Sequence, residues 1–283
     1  MSEKKDLRHF RRPRNFHESF VPERQYLNAL LKYADQEKSG DIQAISKETG
    51  IPTGEYSGKV GPTIDYCRGM GLILLDSKSS SIKTPQLTEL GRSVLLNDPF
   101  FLEPLTQWIG HFHLCNPWHG ADVWYQTFCL GADRLGIKFT RDELNDWLQT
   151  QNLVKRGNVI GPMVRMYEDS ASFGACGVLS EEAGVITKKN APIDDLFAIA
   201  YGAWMISLME NLNIFGVQIS LTELNSETFW QTTAGWNQEE AAKVLQFVEQ
   251  TGLISVDRHM SPWLIKAFKK SEDIWKSIYD ELI

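Results

Sequence analysis

The sequence predicts a mainly α-helical protein in which a winged helix stands at each end of a helical middle module. Apolar residues recur at helical spacing along most of the chain, and two stretches pass from a helix through Gly-Leu-Ile into a hairpin. Large aromatic residues concentrate between these stretches. The predicted segments are a basic flexible arm (1–20), a winged-helix DNA-binding domain (21–97), a helical core (98–220) and a winged-helix-like C-terminal unit (221–283).

Composition bounds the class of protein. A chain of 283 residues with 42% hydrophobic content can bury a substantial core and suits more than one module. No apolar run reaches the roughly 18 to 20 residues of a membrane span, and "MSEKKDLRHFRRPR" lacks the apolar centre of a secretion signal. We therefore expect a cytoplasmic protein without membrane contact. The four widely spaced cysteines, with no C-x-x-C pair, predict free buried thiols.

The first fourteen residues carry more basic than acidic side chains, and Pro13 discourages a helix there. This pattern predicts a flexible arm whose Arg11, Arg12 and Arg14 contact DNA, and a solubilising tail is the alternative. The net charge of -7 excludes a uniform positive coat of the kind that packages DNA, but it leaves room for such local basic patches.

The next elements follow the order of a winged helix. Apolar spacing predicts a helix over 23–34, Asp41 caps a second helix, and "KVGPTIDYCRGMGLI" is a third helix with Pro62 in its first turn. "LILLDSKSSSIKTPQLTELG" is a hairpin that ends at Thr88, the cap of another helix. A three-helix bundle with a long loop is the alternative.

In a winged helix, DNA contact falls to the third helix and to the wing. The candidate residues are Lys59, Thr63 and Arg68 on the helix and Lys78, Ser79 and Lys83 on the wing. Asp65 beside Thr63 weakens this case because a carboxylate facing phosphates costs binding free energy. Winged helices also mediate protein contacts.

The middle and the tail contain further helix signals. Thr140 with Glu143 three residues later is a capping box, and Asn237 with Glu240 is a second cap. Gly252 ends the last long helix, and "LISVDRHMSPWLI" follows as a hairpin. The phrase "FVEQTGLISV" echoes "DYCRGMGLIL", which supports a second, degenerate winged helix at the C-terminus.

The stretch "HFHLCNPWHG" holds three of the six histidines and one of the four cysteines. On a helix, His111 and His113 point about 200° apart, and Pro117 interrupts the path to His119, so we expect no metal site. Histidines hydrogen-bonded at a helix seam among the Trp108, Trp118 and Trp124 rings are favoured instead. Phosphate-loop, dinucleotide and nucleophile-elbow motifs are missing from the sequence, so we also expect no organic cofactor.

Several segments carry a resemblance to a known family. "FHESFVPERQYLNALLKY", "DYCRGMGLI", "LTELGRSVLLNDPFFLEPLTQWIGHFHL", "ADVWYQTF" and "VRMYEDSASFGACGVL" resemble successive motifs of the domain-of-unknown-function-4007 family of bacterial anti-phage islands, which includes SspB-type proteins of DNA phosphorothioation systems. Its most distinctive motif is matched by Asp98, Pro99, Phe101, Leu102, Glu103, Pro104, Leu105, Thr106, Trp108 and His113. The chain departs from the family at "TGEYSGKVGP", and Cys115 and His119 are particular to this sequence.

The resemblance implies a DNA-directed protein that works with sulfur-transfer and ATP-using proteins of the same defence system, and it implies a nickase that opens one DNA strand. Such a nickase needs Mg²⁺ or Mn²⁺ held by carboxylates. The resemblance makes Glu103 the candidate metal ligand and His113 the candidate proton-transfer or phosphate-orienting residue. Two rival hypotheses are a non-catalytic winged-helix adaptor and a transcription regulator.

Overall fold

The computed structural model describes residues 11–54, 57–76, 81–151 and 159–282. Within these ranges the chain is mainly α-helical and carries three small antiparallel sheets. The mainly α prediction is therefore confirmed. No helix in the described ranges is both long and apolar enough to cross a membrane.

The N-terminal unit occupies residues 24–97. Its helices are Arg24–Asp35 (α1), Ile42–Thr49 (α2), Val60–Gly69 (α3) and Glu89–Asn97 (α4), and its strands are Ile73–Asp76 (β1) and Thr84–Leu87 (β2). The predicted caps are confirmed, because Asp41 accepts from the Ala44 N–H and Thr88 from the Gly91 N–H. Gly40, between α1 and α2, forms a single antiparallel bridge to Lys83 beside β2.

The middle unit follows from residue 104 to residue 188. Its helices are Pro104–Leu114 (α5), Asp122–Tyr125 (α6), Ala132–Leu135 (α7), Arg141–Thr150 (α8) and Ile160–Glu168 (α9), with a π-helical turn over Gln126–Leu130. Its strands are Lys138–Thr140 (β3), Leu179–Glu182 (β4) and Val185–Lys188 (β5), in the sheet order β3-β5-β4. The sequence predicted only helices here, so the sheet is a correction. The Thr140–Glu143 capping box is present as predicted.

The C-terminal unit runs from residue 198 to residue 282, after a 3-10 turn at Asp195–Phe197. Its helices are Ala198–Asn211 (α10), Leu221–Thr228 (α11), Trp230–Ala234 (α12), Gln238–Gln250 (α13) and Ser271–Ile274 (α14), the last followed by a 3-10 turn at Trp275–Ser277. Its strands are Ile219–Ser220 (β6), Ile254–Asp257 (β7) and Leu264–Ala267 (β8), in the order β6-β8-β7. Asn237 and Glu240 form the predicted cap of α13.

The three units repeat one order of elements. In the described residues each runs from helix to a short extended segment, then to further helices and an antiparallel hairpin; the middle unit has three α-helices before its extended segment, and the C-terminal unit has three after it. The first extended segment pairs with the last strand each time: Gly40 beside β2, β3 with β5, and β6 with β8. The sequence predicted helices followed by a hairpin at both ends of the chain, with the C-terminal unit starting at residue 221, and it predicted neither the paired extended segments nor the hairpin of the middle unit.

Helix α5 lies at the centre of the molecule. Every residue from Leu105 to Leu114 is buried, including four polar ones. The helix contacts α3 of the N-terminal unit and α10 of the C-terminal unit. A helix that is apolar nearly all round belongs in the core of a protein, and here the three units pack against it.

The described part of the predicted arm, residues 11–20, packs against the middle unit. The Arg12 N–H donates to the Gly120 carbonyl at 2.7 Å, and the Arg12 carbonyl accepts from the Asp122 N–H at 3.0 Å. Phe16 and His17 are buried. Because backbone pairing and apolar burial both fix this segment, the flexible-arm prediction does not apply to residues 11–20.

Two glycines with similar backbone angles give a matched test of this packing. Gly71 has φ +70° and a Cβ added to it would lie 2.8 Å from Nδ1 of His113, whereas Gly50 has φ +72° and open space around it. We expect Gly50→Ala to cost about 1–2 kcal/mol from the left-handed backbone alone. Gly71→Ala should cost about 1–3 kcal/mol more, because His113 must move. Urea unfolding measures both, and equal losses would contradict the close contact.

Candidate nucleic-acid interface and histidine cluster

His111 lies in a buried hydrogen-bond chain. Its Nδ1 is 2.7 Å from the Tyr167 hydroxyl, which also accepts from the Trp124 indole N–H at 2.7 Å. The Thr233 backbone hydrogen-bonds the same imidazole ring, and burial lowers the pKa of His111 to about 3. The ring is therefore neutral, with Nδ1 accepting from Tyr167 and the proton on Nε2.

Cys115 lies one helical turn after His111, with its Sγ 3.8 Å from Nε2 and 3.9 Å from Nδ1 of that ring. Burial raises the pKa of the Cys115 thiol well above its usual range, so the sulfur stays protonated. Both nitrogens of His111 already have protein partners. The pair thus consists of a thiol beside a neutral imidazole, and its contacts are those of a packed core.

His113 and His119 form a second pair on another side of α5. His113 Nδ1 lies 3.1 Å from His119 Nε2, and the His113 ring packs near the Trp275 ring with centroids 5.6 Å apart. His119 folds back because Asn116 Oδ1 accepts from the backbone N–H groups of residues 118 and 119. Burial lowers the pKa of His113 well below its usual range, and burial followed by the charge of Arg12 lowers that of His119 to about 4.

The two predicted catalytic residues lie at opposite ends of α5. Glu103 is exposed at the N-cap position and makes no side-chain cap hydrogen bond, whereas His113 is buried near the last turn. Ten residues of helix at about 1.5 Å rise separate them by about 15 Å. The structure therefore does not bring these two residues together. In the described ranges no cluster of three or more His, Cys, Asp or Glu residues is placed to hold a metal ion.

The predicted DNA-contacting residues on α3 make contacts within the protein. The Lys59 ammonium forms an ion pair with Glu23. The Thr63 hydroxyl is buried and donates to the Lys59 carbonyl at 2.6 Å. Arg68 Nη1 lies 3.1 Å from Asp65 Oδ1. Each side chain thus stabilises the N-terminal unit.

The arginines of the N-terminal segment are also held within the fold. Arg11 Nε is 2.7 Å from Asp122 Oδ1, and its guanidinium lies 4.4 Å from the centre of the Tyr125 ring. Arg12 Nη1 is 3.1 Å from Asp65 Oδ1. Arg14 is half-buried. Arg12 and Arg68 therefore share the carboxylate of Asp65, which ties α3 to the segment that precedes α1.

The predicted wing is the hairpin of β1 and β2. Lys78 and Ser79 lie outside the described residues. Lys83 is half-buried, and its backbone N–H and carbonyl both pair with Gly40 at 2.8 and 3.1 Å. Leu74 and Ile82 are exposed on the same hairpin.

The helices that directly precede the hairpins of the three units, α3, α9 and α13, differ in what they expose. All of α3 is buried except for partial exposure of Gly61, Asp65 and Arg68, and α9 exposes Arg165 and Glu168 alone. Helix α13, in contrast, presents a polar face formed by Gln238, Glu239, Lys243, Gln246 and Gln250. Of these three helices, α13 has the exposed length that a groove of DNA would need.

The polar face of α13 adjoins a groove at the start of the helix. The groove has a volume of about 560 Å³ and its polar lining residues are Thr222, Asn225, Ser226, Gln231, Gln238 and Ser261. Lys243, Gln246 and Gln250 follow it at i, i+3 and i+7, so they share one stripe. This spacing is visible in the sequence. The DNA-contact prediction nevertheless named basic residues of the N-terminal unit and none on α13.

Comparison with known proteins identifies a fold. No protein-family model and no curated protein sequence matches the chain. The arrangement of the three units is nevertheless shared with solved proteins of one kind. The chain is similar to "Magnesium ion-bound SspB crystal structure", with a TM-score of 0.73 and 17% identity over 98% of this chain and 90% of that one.

A second solved protein, "SspB crystal structure", has a TM-score of 0.67 and 16% identity over 95% of this chain and 87% of that one. At these identities the likeness shows a common fold. The SspB part of the resemblance in the sequence is thus supported at the level of the fold, whereas membership of the domain-of-unknown-function-4007 family is not.

The buried histidines predict a pH-dependent stability. Burial lowers the pKa values of His17 and His119 to about 4 and of His111 to about 3, and it lowers that of His113 as well. The unfolded chain therefore binds protons first, below its histidine pKa of about 6.5. Stability is fully present above that pH and falls as the pH drops toward 4. Each histidine contributes a slope of up to about 1.4 kcal/mol per pH unit.

Urea midpoints measured from pH 7 to pH 5 test this expectation. The slope should decrease in His119→Gln and stay unchanged in His259→Gln, whose histidine is exposed. A midpoint that does not change between pH 7 and pH 5 would show that the histidines are not buried as described.

Proposed function

We propose that the chain is a DNA-binding component of a DNA phosphorothioation system of the SspB kind. Its partners in that setting are DNA and the sulfur-transfer and ATP-using proteins of the system. The likeness to SspB structures over nearly the whole chain supports the setting. The exposed polar face of α13 is the observation that carries the DNA-binding part.

The repeated order of elements supports a winged-helix assignment for each unit. A helix, a short extended segment, further helices and a hairpin whose last strand pairs with that segment resemble the winged-helix arrangement. Such units place their third helix in the major groove of DNA. In this chain we assign that role to α13, because α3 and α9 are buried by the other units.

The chemistry of α13 suits DNA. Gln246 and Gln250 are amides that pair with adenine edges, and Lys243 supplies a phosphate contact. The neutral polar groove beside the N-terminus of the helix leaves space for a phosphate backbone. The Glu239 carboxylate would repel phosphates at the start of the helix. We therefore assign DNA contact to the later stripe of Lys243, Gln246 and Gln250.

DNA binding measured by fluorescence anisotropy over a salt series tests the proposal. We expect Lys243→Ala to weaken binding and lower the salt slope by about one, because one phosphate contact is lost. Gln246→Ala should cost about 1–3 kcal/mol on a preferred sequence and leave the slope unchanged. Lys47→Ala is the matched control, since Lys47 is an exposed lysine on α2.

The N-terminal assignment is tested in the same assay by alanine at Lys59, Arg68, Lys78 and Lys83. If this variant loses DNA affinity and Lys243→Ala does not, the DNA interface lies on the N-terminal unit. Wild-type protein that binds no DNA at low salt would leave the non-catalytic protein adaptor as the better hypothesis, and preference for a palindrome by a dimer would favour a transcription regulator.

A second candidate function is DNA nicking with Mg²⁺, which the likeness to a magnesium ion-bound SspB favours. Relaxation of supercoiled plasmid with Mg²⁺ or Mn²⁺ tests it, alone and with partner proteins. We expect that the two single variants, Glu103→Gln and His113→Ala, will not both abolish nicking, because the residues lie at opposite ends of α5. His113→Ala should lower stability instead, since it opens a cavity beside Trp275. Complete loss in both variants, each folded by circular dichroism, would contradict the separation.

A further inference from the structure

A cavity of about 300 Å³ lies where the middle unit meets the C-terminal unit. It is bounded by the ends of β5 and α7 on one side and by α12 on the other. Its lining includes His111, Asp133, Lys188, Lys189, Asn190 and Thr232. The volume is at the small end of the range for ligand sites, which fits a compact molecule.

Lys188 is the cation of this cavity. Its ammonium donates to the Thr127 carbonyl at 3.1 Å and lies 5.5 and 5.3 Å from the centres of the Phe128 and Phe139 rings. No ion pair of Lys188 with a carboxylate occurs in the part of the chain that the structure describes. Lys188 is half-buried. An ammonium has three N–H donors, and removing it even partly from water costs free energy unless an acceptor or an anion compensates it.

Among the described residues that line the cavity, the carboxylate is that of Asp133, and it makes no ion pair with Lys188. His111 at the base of the cavity is neutral and has both ring nitrogens engaged. Asp133 is exposed on the rim, and its charge acts on Lys188 from beyond ion-pair distance. Burial lowers the pKa of Lys188 to about 8, so the side chain is still mostly protonated at pH 7. The lining thus carries one excess positive charge, counting Lys188 and Lys189 against Asp133.

We propose that this cavity binds the phosphoryl group of a small ligand, with Lys188 as the principal contact. A lysine ammonium is a compact charge suited to phosphate oxygens. Asn190 and Thr232 line the same space and supply neutral donors for the remaining oxygens. The phosphoryl group has two sources of the same chemistry, a free nucleotide or the terminal phosphate of a DNA strand. The inference does not rest on the proposed DNA-binding function.

Titration of the full chain with inorganic phosphate and with dAMP, at constant ionic strength held by NaCl, tests the proposal. Wild type should bind both and gain about 3 °C in Tm at roughly ten times the Kd. Lys188→Met keeps the apolar stem and removes the charge, and it should weaken binding by about 10- to 100-fold. Its Tm without phosphate should equal or exceed that of wild type, because a buried cation is gone.

Asp133→Asn and Lys47→Met complete the set. Asp133→Asn removes the carboxylate on the rim and should tighten phosphate binding, a readout that does not depend on how Lys188→Met folds. Lys47→Met removes an exposed charge far from the cavity and should change nothing. Binding that is equal in wild type and Lys188→Met, or undetectable for phosphate, dAMP and a 5′-phosphorylated oligonucleotide alike, would overturn the proposal. Lys188-dependent binding of that oligonucleotide alone would support it and identify a strand end as the source.

Discussion

The burial of α5 is the constraint on which the rest of the structure depends. Ten consecutive residues of this helix are inside the protein, and four of them are polar groups that must find partners there. The Thr106 hydroxyl lies 2.7 Å from the Tyr279 hydroxyl, and Oε1 of the Gln107 side chain accepts from the Cys176 backbone N–H at 2.9 Å. A buried polar group left without a partner costs about 1–3 kcal/mol, so these pairs define how the C-terminal residues and the middle unit dock on the helix.

The histidines of α5 extend the same logic. His111 reaches Tyr167 on α9, and His113 reaches His119 in the following turn. The histidines of α5 therefore serve the packing of neighbouring segments on this helix. His111 and His113 lie on different sides of α5, and burial keeps both rings neutral. Because α3 packs on this helix, its side chains make internal contacts and little of its surface is exposed. Of the three helices that directly precede a hairpin, α13 has the largest exposed face.

Local chemistry explains which elements were predictable. The caps at Asp41, Thr88 and Asn237 act within three residues, so the sequence alone contains both partners of each contact. The sheet of the middle unit was missed because its strands have three or four residues, too few for a visible alternation. Its tight turn is Ala183-Gly184, with φ +50° and +80°, in place of the Asn-Gly or Asp-Gly pair that signals a hairpin.

The site residues were less predictable than the fold because exposure is a tertiary property. The sequence predicted that Thr63 and Arg68 face DNA, and nothing within α3 itself indicates that Thr63 is buried or that Arg68 shares Asp65 with Arg12. Glu103 and His113 belong to one motif of the sequence. The helix between them places the two residues about 15 Å apart along its axis. Motif neighbours mark a shared site only when helix geometry brings them to one face and one end.

Lys188 and the histidines show two ways of burying a titratable nitrogen. An imidazole has an ordinary pKa close to neutrality, so burial simply removes its proton and leaves a neutral ring that neighbouring groups can satisfy. An ammonium starts about four pH units higher, and the burial of Lys188 lowers its pKa only to about 8. Its charge therefore persists at pH 7, next to a cavity and, among the residues that the structure describes, without a carboxylate in ion-pair contact. A neutral imidazole therefore tolerates burial without a counter-ion, whereas the half-buried ammonium of Lys188 keeps a charge that an anion in the adjacent cavity would stabilise.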